Sequence, residues 1–173
     1  MSNIVYPKYL IDTNVLVQAH RLYYQFDFCN GFWNWILTLN DGGCLGIDKV
    51  YDEIIKNKDD LANWIKNKKN LFLQFDSTSI SYFKDIYSIL NNNGVPQNKI
   101  TNFVDNTKAD VYLIAFAKAH GCTLITHEAS AGKINAKRKV HIPDVCKEMG
   151  VPYTTIYEVM RSDSRFCLQL SSR

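Results

Sequence analysis

The residues best suited to chemistry are carboxylates whose positions along the chain are not those of ordinary surface charges. Asp12 directly follows the apolar run Tyr9-Leu10-Ile11, and Glu128 follows the run that ends at Thr126. Asp110 opens a long apolar stretch with helical spacing, and Glu53 lies one turn beyond Asp48. Two carboxylates about 4 Å apart repel by roughly 4 kcal/mol at an effective dielectric of 20, so four ionised acids at one place require compensation. Divalent cations supply it. Mg²⁺ and Mn²⁺ favour oxygen ligands, and two such ions can stabilise the attacking and leaving oxygens of phosphodiester hydrolysis. Sulfur ligands or paired histidines suited to zinc do not accompany these acids.

For these acids to meet, the chain must deliver strand ends to one edge. Tyr9 to Ile11 reads as a strand leading into a helix with Val15, Leu16 and Ala19 on one face. Phe32, Trp33, Ile36, Leu37 and Leu39 outline a second helix, stopped by Asn40-Asp41-Gly42-Gly43. After the short apolar segment from Cys44 to Ile47, Asp48 is expected to cap a helix carrying Val50, Tyr51, Ile54 and Ile55, and Leu61, Trp64 and Ile65 mark another. Leu71 to Phe75 reads as a strand, and Ile80, Phe83, Ile86, Tyr87 and Leu90 as one helix ending near Asn91 to Gly94. Asp110 to His120 is a helix closed by Gly121, and Cys122 to Thr126 a buried strand. Ile142-Pro143-Asp144 opens a helix to Met149, ended by Gly150, and Tyr153 to Ile156 forms a last strand.

Alternating strands and helices predict an α/β fold, a three-layer α/β/α arrangement around a mostly parallel sheet, with residues 1–173 as a single domain. In such sheets ligands bind beyond the carboxyl ends of the strands, where Asp12 and Glu128 would stand. The 46% hydrophobic content excludes a disordered chain, and the net charge of +3 permits a polyanionic partner without requiring one. Five widely spaced cysteines without a C-x-x-C pair fit a reducing cytoplasm better than a disulfide framework or a zinc site. No stretch reaches the length of a membrane span, so a soluble, unprocessed cytoplasmic protein is expected.

Four segments resemble the PIN-domain nucleases, including the VapC-type toxins of bacterial toxin and antitoxin modules. They are Leu10-Ile11-Asp12-Thr13-Asn14-Val15-Leu16, Val50-Tyr51-Asp52-Glu53-Ile54, the run from Ala109 to Ala117, and Leu124-Ile125-Thr126-His127-Glu128. Their order and spacing cover nearly the whole chain, and Ile142-Pro143-Asp144-Val145-Cys146 looks like a less-studied PIN-like branch. The resemblance implies Asp12, Glu53 and Asp110 as metal-coordinating acids, with Asn14 and Thr126 orienting a carboxylate or water. Glu128 stands where the family usually has aspartate, and its longer side chain could coordinate through water or contribute little. A PIN-like fold, Mg²⁺- or Mn²⁺-dependent cleavage of RNA, an antitoxin protein as partner and a homodimer are further implications of the resemblance.

Plainer readings stand beside these. Asp12 could only cap a helix and Asp110 only charge a helix N-terminus, while Glu53 could be a solvated helix residue and Glu128 a loop acid. Asp48, Asp52, Asp105 and Asp144 read as caps or surface charges. Lys133, Lys137, Arg138 and Lys139 could grip RNA phosphates or form a solvated loop. Tyr23, Tyr24, Phe26 and Phe28 could stack on bases, though such density more often fills a core or an interface. His127 reads as a strand-end residue rather than a base. A phosphatase using Asp12 as nucleophile would want a second acid two residues on, where Asn14 stands. A degenerate PIN-like fold acting through a protein partner is the non-enzymatic alternative.

Overall fold

The central strands are short, apolar and parallel. The structure, a computed structural model, describes residues 6–40 and 43–167. Strand β1 (Tyr9–Ile11) pairs with β4 (Thr123–Ile125) in the register Tyr9 to Thr123 and Ile11 to Ile125, and β4 pairs with β5 (Tyr153–Thr154). Beside them, β2 (Gly46–Ile47) pairs with β3 (Phe72–Leu73), also in parallel. The expected single sheet is thus two, of three and two strands, set side by side. A bond from Ile11 N to Leu45 O (3.0 Å) joins β1 to the segment entering β2. The helices flank this array, giving the α/β class expected from the sequence.

Burial explains the strands. Leu10, Ile11, Leu124 and Ile125 are fully or almost fully buried, so these runs have no solvated face and do not alternate. Asn40, also buried, extends the hydrogen bonding of β1 from the side. Its amide accepts from Tyr9 N and donates to Tyr9 O, both at 2.9 Å, and to Cys44 O. Of the breaker cluster that follows it, Asp41 and Gly42 lie outside the described residues.

Helix α1 (Thr13–Gln18) leaves β1 and continues into a π-helical turn at Ala19–Tyr23. Next come α2 (Asn30–Ile36), α3 (Asp48–Ile55) and α4 (Asp60–Lys66). Helix α8 (Asp110–His120) is apolar around most of its circumference and packs against α5 (Ser77–Ile80), α6 (Phe83–Asn92), β4 and α9 (Ile142–Met149). Gly121 and Gly150 end α8 and α9 with φ of +69° and +63°, the left-handed conformation that glycine adopts without strain.

Several expected elements are rearranged by local hydrogen bonds. The strand expected from Leu71 to Phe75 shrinks to β3 because Lys69–Leu71 winds into a 3₁₀ turn. The helix expected from Ile80 to Leu90 is two. Asp76 caps α5 by accepting from Ser79 N and Oγ, and α6 restarts at Phe83. Helix α7 (Gln97–Phe103), entered from Pro96, has no counterpart among the expected elements. The expected strand to Ile156 stops at Thr154 because Thr155 and Glu158 form a capping box that starts α10 (Ile156–Ser162). Asp48 does not cap α3 but is its first residue, and its buried Oδ1 lacks a hydrogen-bond partner among the described residues. Asp144 is buried rather than a surface charge, accepting from Ser130 Oγ and Ala131 N. No helix among the described residues is long and apolar enough to cross a membrane.

Leu124, 1% exposed on the middle strand, tests this core. Leu124→Ala is expected to cost about 2–5 kcal/mol, read from the midpoint of urea unfolding. A loss under about 1 kcal/mol would show that β4 is not the packed centre.

Candidate functional site

Because β1 and β4 run parallel and in register, they end at one edge, and the backbone beyond them remains locked. Asp12 N donates to Ile125 O at 2.9 Å and Thr126 N to Thr154 O at 3.0 Å. Asp12 is the N-cap of α1, so the plain capping role is present along with any chemical one. Its Oδ1 accepts from Asn14 N at 3.4 Å. Its Oδ2 accepts from the Thr126 hydroxyl at 3.0 Å, and that oxygen in turn accepts from Glu128 N at 3.1 Å. One threonine thereby fixes both the carboxylate after β1 and the backbone that carries Glu128.

Asp110 occupies the first turn of α8, where the helix dipole favours an anion. Glu53 projects from α3 and accepts from the Thr13 hydroxyl at 2.5 Å. Thr13, absent from the candidates read in the sequence, is therefore the residue that orients this acid. Asn14 contributes its backbone N–H to Asp12 and stands at the wall of a cavity of about 370 Å³. Glu53, Asp110 and Glu128 line the same cavity. Asp12, 1% exposed, is not among its lining residues, but it is close enough for the charges of Asp110 and Glu128 to act on it.

The electrostatics follow from that crowding. Burial first, then the charge of Asp110, pushes the Asp12 carboxyl up to about 7, against the pull of the Thr126 hydroxyl and Asn14 N–H. Burial, then Glu128 and Glu53, pushes Asp110 up to about 6, and Lys139 and Lys108 pull it back. Both acids therefore keep a proton well above the usual carboxylate range.

The donor set is carboxylate oxygen, which suits hard divalent ions such as Mg²⁺ or Mn²⁺ and not zinc. As the side chains stand, no group of three or more His, Cys, Asp and Glu among the described residues is arranged to hold a metal ion. Three of the four acids already have partners, Asp12 through Thr126 and Asn14 N. Glu53 is held by Thr13, while Glu128 accepts from Ile142 N at 2.8 Å and from Lys139 Nζ at 3.2 Å.

Of the four basic residues singled out in sequence, Lys139 lines the cavity, whereas Lys133, Lys137 and Arg138 do not. The Arg138 guanidinium instead donates to Ala131 O. The cavity is also lined by Lys99 and Lys108, which sequence reasoning missed because α7 and the turn after it show no strong apolar period. Tyr24 stacks on Phe32 at 4.2 Å and Phe26 packs on Trp33 at 4.4 Å, both in an aromatic cluster, while Tyr23 and Phe28 are exposed. His127 packs against Tyr157, and burial lowers its pKa, which favours the neutral ring. A cavity of about 410 Å³ opens near the start of β1, beside Lys8 and Asn40, but there Arg165 pairs with Asp163 and like charges do not gather.

Residues 9–166 match the family described as a domain of unknown function, DUF4411. No curated protein matches the sequence. Among solved structures the chain is similar to the crystal structure of VapBC2 from Rickettsia felis bound to a DNA fragment from their promoter. The identity is 19% and the TM-score 0.46, over 69% of this chain and 87% of that one.

The raised Asp12 value sets a pH dependence. The folded protein holds the Asp12 proton up to about pH 7, the unfolded chain only to about 3.8, so this stabilising contribution is complete below pH 3.8 and disappears as pH rises through 7. Asp12→Asn keeps an acceptor for Thr126 and cannot ionise. In EDTA its melting temperature is expected to match the parent near pH 4 and to exceed it by about 5 °C at pH 8. A difference that does not grow with pH would refute a strained carboxylate.

Proposed function

Since the chain belongs to the DUF4411 family, whose description assigns no activity, we propose from the site itself that this protein is a metal-dependent endoribonuclease, the toxin of a toxin and antitoxin module. One observation carries the reading. Glu53, Asp110 and Glu128, from three separated segments, line one cavity with Lys99, Lys108 and, at its exposed rim, Lys139, and the buried Asp12 at the end of β1 lies within reach of the charges of Asp110 and Glu128. Acids and lysines lining one cavity suit a phosphodiester, the acids through a bound cation at the reacting phosphate and the lysines through the flanking phosphates.

Asp12, Glu53 and Asp110 would hold Mg²⁺ or Mn²⁺, with Glu128 as the fourth acid of the ring. When bound, the ions supply an activated water and charge neutralisation at the phosphate. The protein's own groups do the rest. Thr126 keeps Asp12 turned toward the cluster, and Thr13 does the same for Glu53. Asp110 sits where the α8 dipole offsets part of its charge. The rim lysines draw the polyanion in and orient it. The preference for RNA, the antitoxin partner and a homodimer rest on the resemblance of the four acid-bearing segments to VapC-type PIN nucleases.

A second reading, a fold that acts through a protein partner without cleavage, draws on the partners already engaged by Glu53 and Glu128. Acid-dependent Mn²⁺ affinity separates the two. With mixed RNAs and Mn²⁺, the parent is expected to cleave, EDTA to abolish cleavage, and Asp12→Asn and Asp110→Asn each to slow it about a hundredfold or more. Cleavage that persists in EDTA and in both variants would eliminate the nuclease reading.

A further inference from the structure

Glu128 differs from the other acids in how its charge is already met. Its Oε2 accepts from Ile142 N at 2.8 Å, the first N–H of α9 and one that the helix itself cannot satisfy. The residue at the N-cap, His141, makes no side-chain capping bond, so Glu128 supplies the missing acceptor from a distance and lies in the favourable field of the α9 N-terminus. His141 Nδ1 stands 3.8 Å from the same oxygen, and Lys139 Nζ is 3.2 Å from the other. By contrast, no hydrogen bond to the Asp110 carboxylate is found among the described residues, although Asp110 lines the same cavity.

The segment between Glu128 and Ile142 is fastened at further points. Asp144, 3% exposed, accepts from Ser130 Oγ at 2.6 Å and Ala131 N at 3.2 Å, and Lys147 Nζ donates to Ser130 Oγ at 2.7 Å. From α7, Lys99 Nζ donates to Ala136 O at 2.8 Å and Arg138 O at 3.3 Å. The carbonyl immediately before Lys139 is thus held. With the carbonyl before it held by Lys99 and its ammonium paired to Glu128, the exposed Lys139 side chain is kept at the edge of the cavity it lines.

We propose that Glu128 is a positioning residue and not a metal ligand: it joins the start of α9 to Lys139 and holds that ammonium at the cavity mouth, to meet a phosphate of the bound RNA backbone. The proposal rests on the nuclease reading for its substrate. A phosphodiester arriving at the mouth takes over part of the ammonium's hydrogen bonding, and Glu128 keeps Ile142 N throughout. Both charges of the pair are then used without a bare carboxylate being created beside the other three.

Mn²⁺ titration of the purified protein tests the assignment. The double variant Glu128→Gln/Lys139→Met removes one negative and one positive charge, so the net charge is unchanged, and the amide oxygen introduced in place of the carboxylate still accepts from Ile142 N. Its Mn²⁺ affinity is expected to stay within about fivefold of the parent, while Asp110→Asn loses more than about tenfold. A loss beyond fivefold in the double variant would make Glu128 a ligand and overturn the proposal. A parent that binds no Mn²⁺ would instead overturn the nuclease reading itself. For Lys139, Lys139→Met is expected to raise KM for RNA several-fold, more than it lowers kcat, with Lys139→Arg restoring KM. An unchanged KM would remove Lys139 from the substrate path.

Discussion

A carboxylate is held almost without solvent at the end of a central strand, and the surrounding arrangement follows from that constraint. Asp12 is there because β1 and β4 stop in register and the backbone beyond them stays bonded, through Asp12 N to Ile125 O. A buried anion with only two hydrogen bonds is costly, and the chain meets the cost in stages. Thr126 donates to Asp12, Asn14 N–H adds a longer bond, and the remaining penalty appears as a proton retained to about pH 7. The position that is worst for an isolated acid is therefore the one where a cation gains most.

The other acids extend the same logic outward. Asp110 is offset by the N-terminus of α8, Glu53 by the Thr13 hydroxyl, and Glu128 by Ile142 N and Lys139. Asp12 is the most buried of the four and the Asp110 carboxylate accepts no hydrogen bond among the described residues, so the least compensated charge lies on these two. Under the nuclease proposal a divalent ion would be drawn to those two, and a polyanion to Lys99, Lys108 and Lys139, which line the same cavity.

The parts of this arrangement that were legible in the sequence are those encoded by contiguous residues. An apolar run followed by an acid located β1 with Asp12, and the apolar stretch from Asp110 to Gly121 located α8 with its charged N-terminus and glycine stop. The capping box of Thr155 and Glu158 was equally local and could have revealed α10. Thr13 as the partner of Glu53 was not legible, because its bond joins residues far apart in the chain, and neither was the burial of Asp144 under Ser130. Likewise Lys99 and Lys108 belong to a short helix and turn whose place at the cavity is set by packing against α6, not by their own pattern.

The basic segment shows why composition alone misleads. Lys133, Lys137, Arg138 and Lys139 look equivalent in sequence, yet only a side chain whose backbone is restrained near the cavity can act there at low entropic cost. Arg138 directs its guanidinium to Ala131 O, bracing the turn, and its carbonyl is one of two, with that of Ala136, that Lys99 holds. The result of both contacts is the placement of Lys139. Charge density supplied the attraction in principle, but the hydrogen bonds made by neighbouring backbone atoms determine which charge is delivered.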